Sequence, residues 1–128
     1  MSVALQPRSD VPSGRDQTPA SPPPSRELLS AWLLLLLERQ ASHGYELRRQ
    51  LEEHGVITES GAMYRALRRL EEDGCAASTW AKSVAGPRRR LYELTAKGRS
   101  ELGSLVEAIT VKRDIHAAFL IVHDSKVG

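Results

Sequence analysis

Residues 28–37, LLSAWLLLLL, constrain this chain more than any other stretch. Ten residues, all but Ser30 apolar, are too few to cross a bilayer, which takes about 20. They are apolar on nearly every side, so a helix made of them must be covered on more than one side. Ser25 is a suitable N-cap and Glu27 falls in the first turn, which predicts a helix over about 25–39. The chain has 128 residues, enough for one domain and short of two. In so small a domain the extra burial is predicted to come from a second copy of the chain, with Leu34 at the contact. Trp32 lies in the same helix. It either packs in the core or dimer interface, or forms one wall of an effector pocket.

The segment before this helix has a different chemistry. Residues 1–25 hold six of the seven prolines, interleaved with Ser, Asp and Gln. Such a tail cannot bury enough apolar surface to offset its ordering entropy, so it is predicted to be disordered. It is long and polar rather than short and basic, which argues against an export signal. One cysteine excludes an internal disulfide and any multi-cysteine zinc site, and fits a reducing cytoplasm. The net charge is only +2, but residues 26–99 carry 13 Lys/Arg against 10 Asp/Glu, so the excess is central.

Two helices joined by a Gly-marked turn are predicted there. Residues 44–54 place Tyr45 and Leu51 inward and Arg48, Arg49, Glu52 and Glu53 outward, with Gly55 as the stop. Residues 60–74, SGAMYRALRRLEEDG, repeat Met63, Ala66, Leu67 and Leu70 at helical spacing. Arg65, Arg68 and Arg69 fall on the other side, where they can point together at one partner, with Tyr64 beside them. Thr58 or Ser60 can cap this helix and Gly74 can end it. Two short helices with a basic second member make a helix-turn-helix arrangement. The bland alternative is a solvated cationic face.

The period then changes. Residues 75–82 and 88–94 read as strands around a Gly-Pro loop at 83–87, a β-hairpin with a basic tip. Directly after a recognition-type helix, such a hairpin is a wing. Thr95 caps a last helix in which Leu102, Leu105, Val106 and Ile109 keep helical spacing. Residues 112–114, Lys-Arg-Asp, are expected to interrupt it, and Ile115, Phe119 and Val122 resume it. That much apolar surface beyond the core points to a symmetric dimer through Leu102, Leu105, Ile109 and Phe119. The fold class is mainly α with a small β-hairpin. A winged helix-turn-helix domain over 26–98 is followed by a C-terminal dimerisation helix and tail over 99–128.

HGYEL at 43–47, GAMYRALRRLEEDG at 61–74, Trp80 and GPRRRLYELTAKG at 86–98 together resemble the PadR family of winged helix-turn-helix transcriptional regulators. The family pattern is Gly-Tyr-Glu-Leu, then Gly-x-x-Tyr-x-x-Leu-x-x-Leu-Glu-x-x-Gly, then Arg-x-Tyr-x-Leu-Thr-x-x-Gly. Every element has a counterpart in order, over about residues 26–102. The resemblance implies a homodimer built by the C-terminal helix and the first helix. It also implies recognition helices in adjacent major grooves, and often repression relieved by a small ligand near the dimer interface. Two departures stand out. Ser60-Gly61-Ala62 replaces the frequent Pro-Gly-Thr, and the region after the wing is short.

The chemistry follows from the residue types. Arg pairs bidentately with phosphate or with guanine O6 and N7. The N-terminal end of a recognition helix usually reaches the bases, so Ser60, Ala62, Tyr64 and Arg65 are expected to read sequence. Arg68 and Arg69 are expected on phosphates, as are Lys82, Arg88, Arg89 and Arg90 of the wing. Strand alternation should turn Arg88 and Arg90 one way and Arg89 the other. The expected partner is double-stranded DNA carrying an inverted repeat, with no cofactor, no membrane and no resident metal. No zinc-ligand spacing, phosphate loop or nucleophile elbow is present, which argues against an enzyme. The alternatives are a winged helix that binds protein, or a metal-responsive repressor with a His/Cys site between subunits.

Overall fold

A computed structural model describes residues 22–81 and 89–125 of the chain. Most of the tail expected to be disordered, the wing loop, Lys82 and Arg88 lie outside the described residues. The order of elements is α1 (Arg26–Arg39), β1 (Ser42–His43), α2 (Gly44–Glu53), α3 (Ser60–Glu72), β2 (Ala76–Ala81), β3 (Arg89–Leu94) and α4 (Ala96–Ser125).

The apolar run forms the centre of the molecule. Ser25 caps α1, its hydroxyl accepting from the Leu28 N–H at 3.1 Å. Leu29, Ala31, Leu33, Leu34, Leu36 and Leu37 of this helix are all buried. They are covered by α4, α3, β3 and α2 of the same chain. The cover that the sequence assigns to a second copy therefore comes largely from within. Leu34 is fully buried in this core and has no surface to offer a partner; Leu102 is buried there too. Each such leucine contributes about 1.5–3 kcal/mol by leaving water. Leu28 and Leu35, at 37% and 38% exposure, and half-buried Trp32 leave the apolar face of α1 partly open.

Helix ends follow local chemistry. Gly55 and Gly74 adopt φ of 80° and 79°, the left-handed turn that stops α2 and α3. The N-cap of α3 is Glu59, without a side-chain cap bond, rather than Thr58 or Ser60. Glu46 reaches back to the His43 N–H at 2.8 Å and fixes the start of α2. Met63, Ala66, Leu67 and Leu70 bury the back of α3 as their spacing requires. Tyr45 is half exposed, not inward.

The sheet has three strands in the order β1-β3-β2, all antiparallel. The hairpin pairs Ala76 with Leu94 and Ala81 with Arg89. Its third member, β1, has no sequence signal, because two residues show no period; it exists through pairing with Tyr92 and Leu91. A cluster of bonds at Thr95 joins the hairpin to the last helix. Its hydroxyl donates to the Gly74 carbonyl at 2.6 Å and accepts from the Gly98 N–H at 3.0 Å, and its N–H donates to the Cys75 carbonyl at 3.2 Å.

α4 is one uninterrupted helix of 30 residues. Residues 112–114 do not break it, because Lys, Arg and Asp are tolerated on an exposed helix surface; the Lys112 ammonium reaches Glu27 of α1 at 2.6 Å. At 100° per residue, Leu102, Leu105 and Ile109 share the side facing α1, while Val111, Ile115, Phe119 and Val122 form a second stripe on another side. The second stripe is bare: Phe119 is 66% exposed and Ile115 61%.

Candidate nucleic-acid interface

The front of α3 is built by its buried back. Once the apolar positions face α1, Tyr64, Arg65 and Arg68 point to solvent. The three arginines do not converge as their spacing alone suggests. Tyr64 and Arg68, four apart, line a cleft toward the sheet. Arg65 and Arg69, also four apart, line a groove toward the start of α1 with Pro23, Pro24 and Arg26. The outer face of α3 thus carries cations along both edges.

The cleft on the sheet side has a volume of about 770 Å³ and is lined by Tyr45, Tyr64, Arg68, Trp80, Arg89 and Arg90, among others. Tyr64 lies close over Gly44: a Cβ there would stand 2.5 Å from the tyrosine hydroxyl. Arg89 and Arg90, the two described wing arginines, turn to different rings. The Arg89 guanidinium lies 5.0 Å from the Tyr45 ring and that of Arg90 lies 5.2 Å from the Trp80 ring. Arg90 is also tied into the protein, its Nε donating to Ser78 Oγ at 3.0 Å and its Nη2 standing 3.5 Å from the Glu71 carboxylate. Of the two described wing arginines, Arg89 is the one without an ion pair to a described residue. His43 Nδ1 donates to the Arg90 carbonyl at 2.9 Å and holds β1 against the wing.

Arg48, outward on α2 by its helical position, also turns toward α3. It hydrogen-bonds the Ser60 hydroxyl and pairs with Glu52 at 3.6 Å, which brings a further cation to the N-terminal end of α3. Only the packing of α2 on α3 reveals this.

Trp32 is half-buried. Its ring stacks on His54 at 5.0 Å and walls an apolar pocket of about 190 Å³ with Leu28, Ala31, Leu35, Leu102 and Val106. Trp80 lies on the wing, so the two tryptophans do not line a common pocket among those described. Burial pushes the Cys75 thiol up, and the nearby Glu101 carboxylate adds to this. Among the described residues, no three His, Cys, Asp or Glu side chains come together to hold a metal ion. No described helix is long and apolar enough to cross a membrane.

A helix-turn-helix whose second helix shows a cationic, tyrosine-bearing face, followed by a two-stranded wing, defines the winged helix-turn-helix class of DNA-binding proteins. Within that class the chain belongs to the transcriptional regulator PadR-like family, whose profile matches residues 33–104. The transcriptional regulator Rv3488 of Mycobacterium tuberculosis is 40% identical over 60 residues, which are 47% of this chain and 55% of that protein. The chain thus spans about half the length of that relative. A PadR-like transcription factor from Bacteroides fragilis superposes with a TM-score of 0.65 at 29% identity, over 73% of this chain and 91% of the other. A PadR family regulator from Clostridium difficile gives 0.65 at 27% identity, over 72% and 97%. The mainly helical winged fold and the family agree with the sequence reading.

Proposed function

We propose that this chain is a homodimeric, sequence-specific DNA-binding repressor that a small-molecule effector releases. α3 enters the major groove and the wing rests on phosphates. The observation that carries this reading is the front of α3. Tyr64, Arg65 and Arg68 are exposed there, and neither arginine has an ion pair with a described residue. Ser60 and Arg65 read bases, Arg68 and Arg69 hold phosphates, and Arg89 does so from the wing. Lys82 and Arg88, which lie between β2 and β3 in the sequence, join it. Arg90 contributes less, because Glu71 competes for its guanidinium. The bare Ile115–Phe119 stripe supports pairing of two copies; Leu105 and Ile109, on the side facing α1, are partly buried within the chain. Leu34 takes no part.

The Trp32 pocket is smaller than the roughly 300 Å³ that ligand sites usually need. An effector there requires walls from the second copy.

If a dimer makes about eight phosphate contacts, log affinity falls with log salt at a slope near −7. Half-sites stand about 34 Å apart in an inverted repeat. A mobility-shift series on the region upstream of its own gene tests this. A flat salt response removes the DNA reading and leaves a protein-binding winged helix. Tryptophan quenching by aromatic and cationic compounds tests the effector; in a Trp80→Phe background the signal reports Trp32 alone.

A further inference from the structure

The DNA reading places cations only on α3 and the wing, yet the groove on the opposite edge of α3 holds a third set. Arg65 and Arg69 share it with Arg26, the first residue of α1. Some arginines of the domain are paired with carboxylates: Arg48 with Glu52, Arg90 with Glu71 and Arg99 with Glu38. Arg26, Arg65 and Arg69 have no ion pair with any described residue. Glu27, beside Arg26 in sequence, is engaged by Lys112 at 2.6 Å, so it leaves the charge of Arg26 uncancelled. Three guanidinium groups without anions on one groove are a place for an external anion.

The geometry of a major groove says which anion. A helix with its side chains is about 10–12 Å across and the groove is about 12 Å wide, so a seated helix has a phosphate strand along each side. The wing lies beyond the Tyr64–Arg68 edge. The start of α1 lies beyond the Arg65–Arg69 edge.

We propose that Arg26 and Arg69 form a second phosphate-binding flank, which grips the strand on the side of α3 away from the wing. This rests on the DNA reading above. Arg65 sits between that flank and the bases. Its guanidinium folds back over the first turn, where a Cβ at Gly61 would stand 3.1 Å from Nη1. α1 thereby becomes part of the DNA interface as well as the centre of the core.

The test uses the full chain and a duplex that the wild-type protein selects from a random-sequence pool, with a scrambled duplex beside it. Anisotropy titrations run from about 50 to 200 mM salt. Arg26→Gln should flatten the salt slope by about 0.9 per half-site, close to 2 for a dimer, so the affinity drop across that range shrinks about tenfold. The preference for selected over scrambled duplex should not change. Arg26→Lys, which keeps the charge, should retain the wild-type slope. Arg26 is exposed, so the melting temperature should stay put. A wild-type slope in Arg26→Gln overturns the proposal, and so does a lost duplex preference, which makes Arg26 a base reader. If the wild-type protein selects no duplex, the DNA reading itself falls and this flank with it.

Discussion

Gly98→Ala sets helix propensity against packing in α4. On propensity alone, alanine is favoured over glycine in a helix by about 0.5–1 kcal/mol. The packing opposes it. A Cβ at position 98 would stand 2.0 Å from the Cys75 carbonyl oxygen, 3.0 Å from its carbonyl carbon and 2.7 Å from Leu94 Cδ1. The first two atoms belong to the backbone of a buried residue, and the oxygen accepts the Thr95 N–H at 3.2 Å. They cannot swing aside as a side chain would. Ordinary contact starts at 3.4 Å, so the start of α4 must retreat by 1.4 Å, the difference from 2.0 Å. Overpacking of this kind costs about 1–3 kcal/mol, which outweighs the propensity gain. A net loss of about 1–2 kcal/mol lowers Tm by about 3–8 °C in a chain of this size. Gly103→Ala is the internal control, since its Cβ meets nothing within 4 Å, and it should hold or raise Tm. Thermal unfolding at fixed protein concentration compares the three proteins, because association shifts Tm. If Gly98→Ala melts at or above the wild type, the steric account of this joint is wrong.

The remaining predictions concern the interface, the second stripe, the core and pH. Arg65→Ala should lose about 1–3 kcal/mol on the selected duplex and less on others, whereas Arg89→Ala should weaken all duplexes alike; equal behaviour would undo the division between base and phosphate roles. Phe119→Glu should give a monomer by light scattering with its helical content kept, and a dimer of unchanged affinity would exclude the second stripe as the subunit contact. Leu67→Ala removes a fully buried side chain and should cost about 2–5 kcal/mol in urea unfolding. Burial raises both the Cys75 thiol and the Tyr92 phenol, so each keeps its proton longer in the folded chain. The contribution is complete below the unfolded values and declines as pH climbs from about 8.5 toward the raised folded ones. Urea midpoints should therefore be lower near pH 10 than near pH 7, with a smaller drop in Cys75→Ala; a midpoint that holds or rises counts against this.

Local chemistry was legible wherever a residue decides its own neighbourhood. Ser25 starts α1, Gly55 and Gly74 stop α2 and α3, and the Met63–Leu70 spacing turns the back of α3 inward. What failed depends on distant partners. β1 is a strand because Tyr92 is there to pair with Ser42, about fifty residues on. The 112–114 triplet looked like a break, yet polar residues on a helix exposed on most sides disturb nothing, and Lys112 finds Glu27 on α1. Period reports which residues share a face but not what covers it. Hence Leu34 reads from its period as a subunit contact, while α4, α3 and β3 enclose α1. At the site, the types were legible and the directions were not. Arg65, Arg68 and Arg69 look like one cluster in the sequence, and only the placement of the sheet and of Arg26 divides them.

The bonds at Thr95 have a mechanical meaning. One side chain holds the turn after α3 to the first turn of α4, with a backbone bond beside it. α4 is then a lever with its fulcrum at the end of α3. At 1.5 Å per residue it is about 45 Å long, and a tilt of about 5° at the clamp moves its far tip by about 4 Å. The converse also holds: whatever seats that tip sets the angle at which α3 is aimed. In the dimer proposed above, the spacing of the two copies of α3 would then be set in part by Thr95 and Gly98, at the joint between α3 and α4.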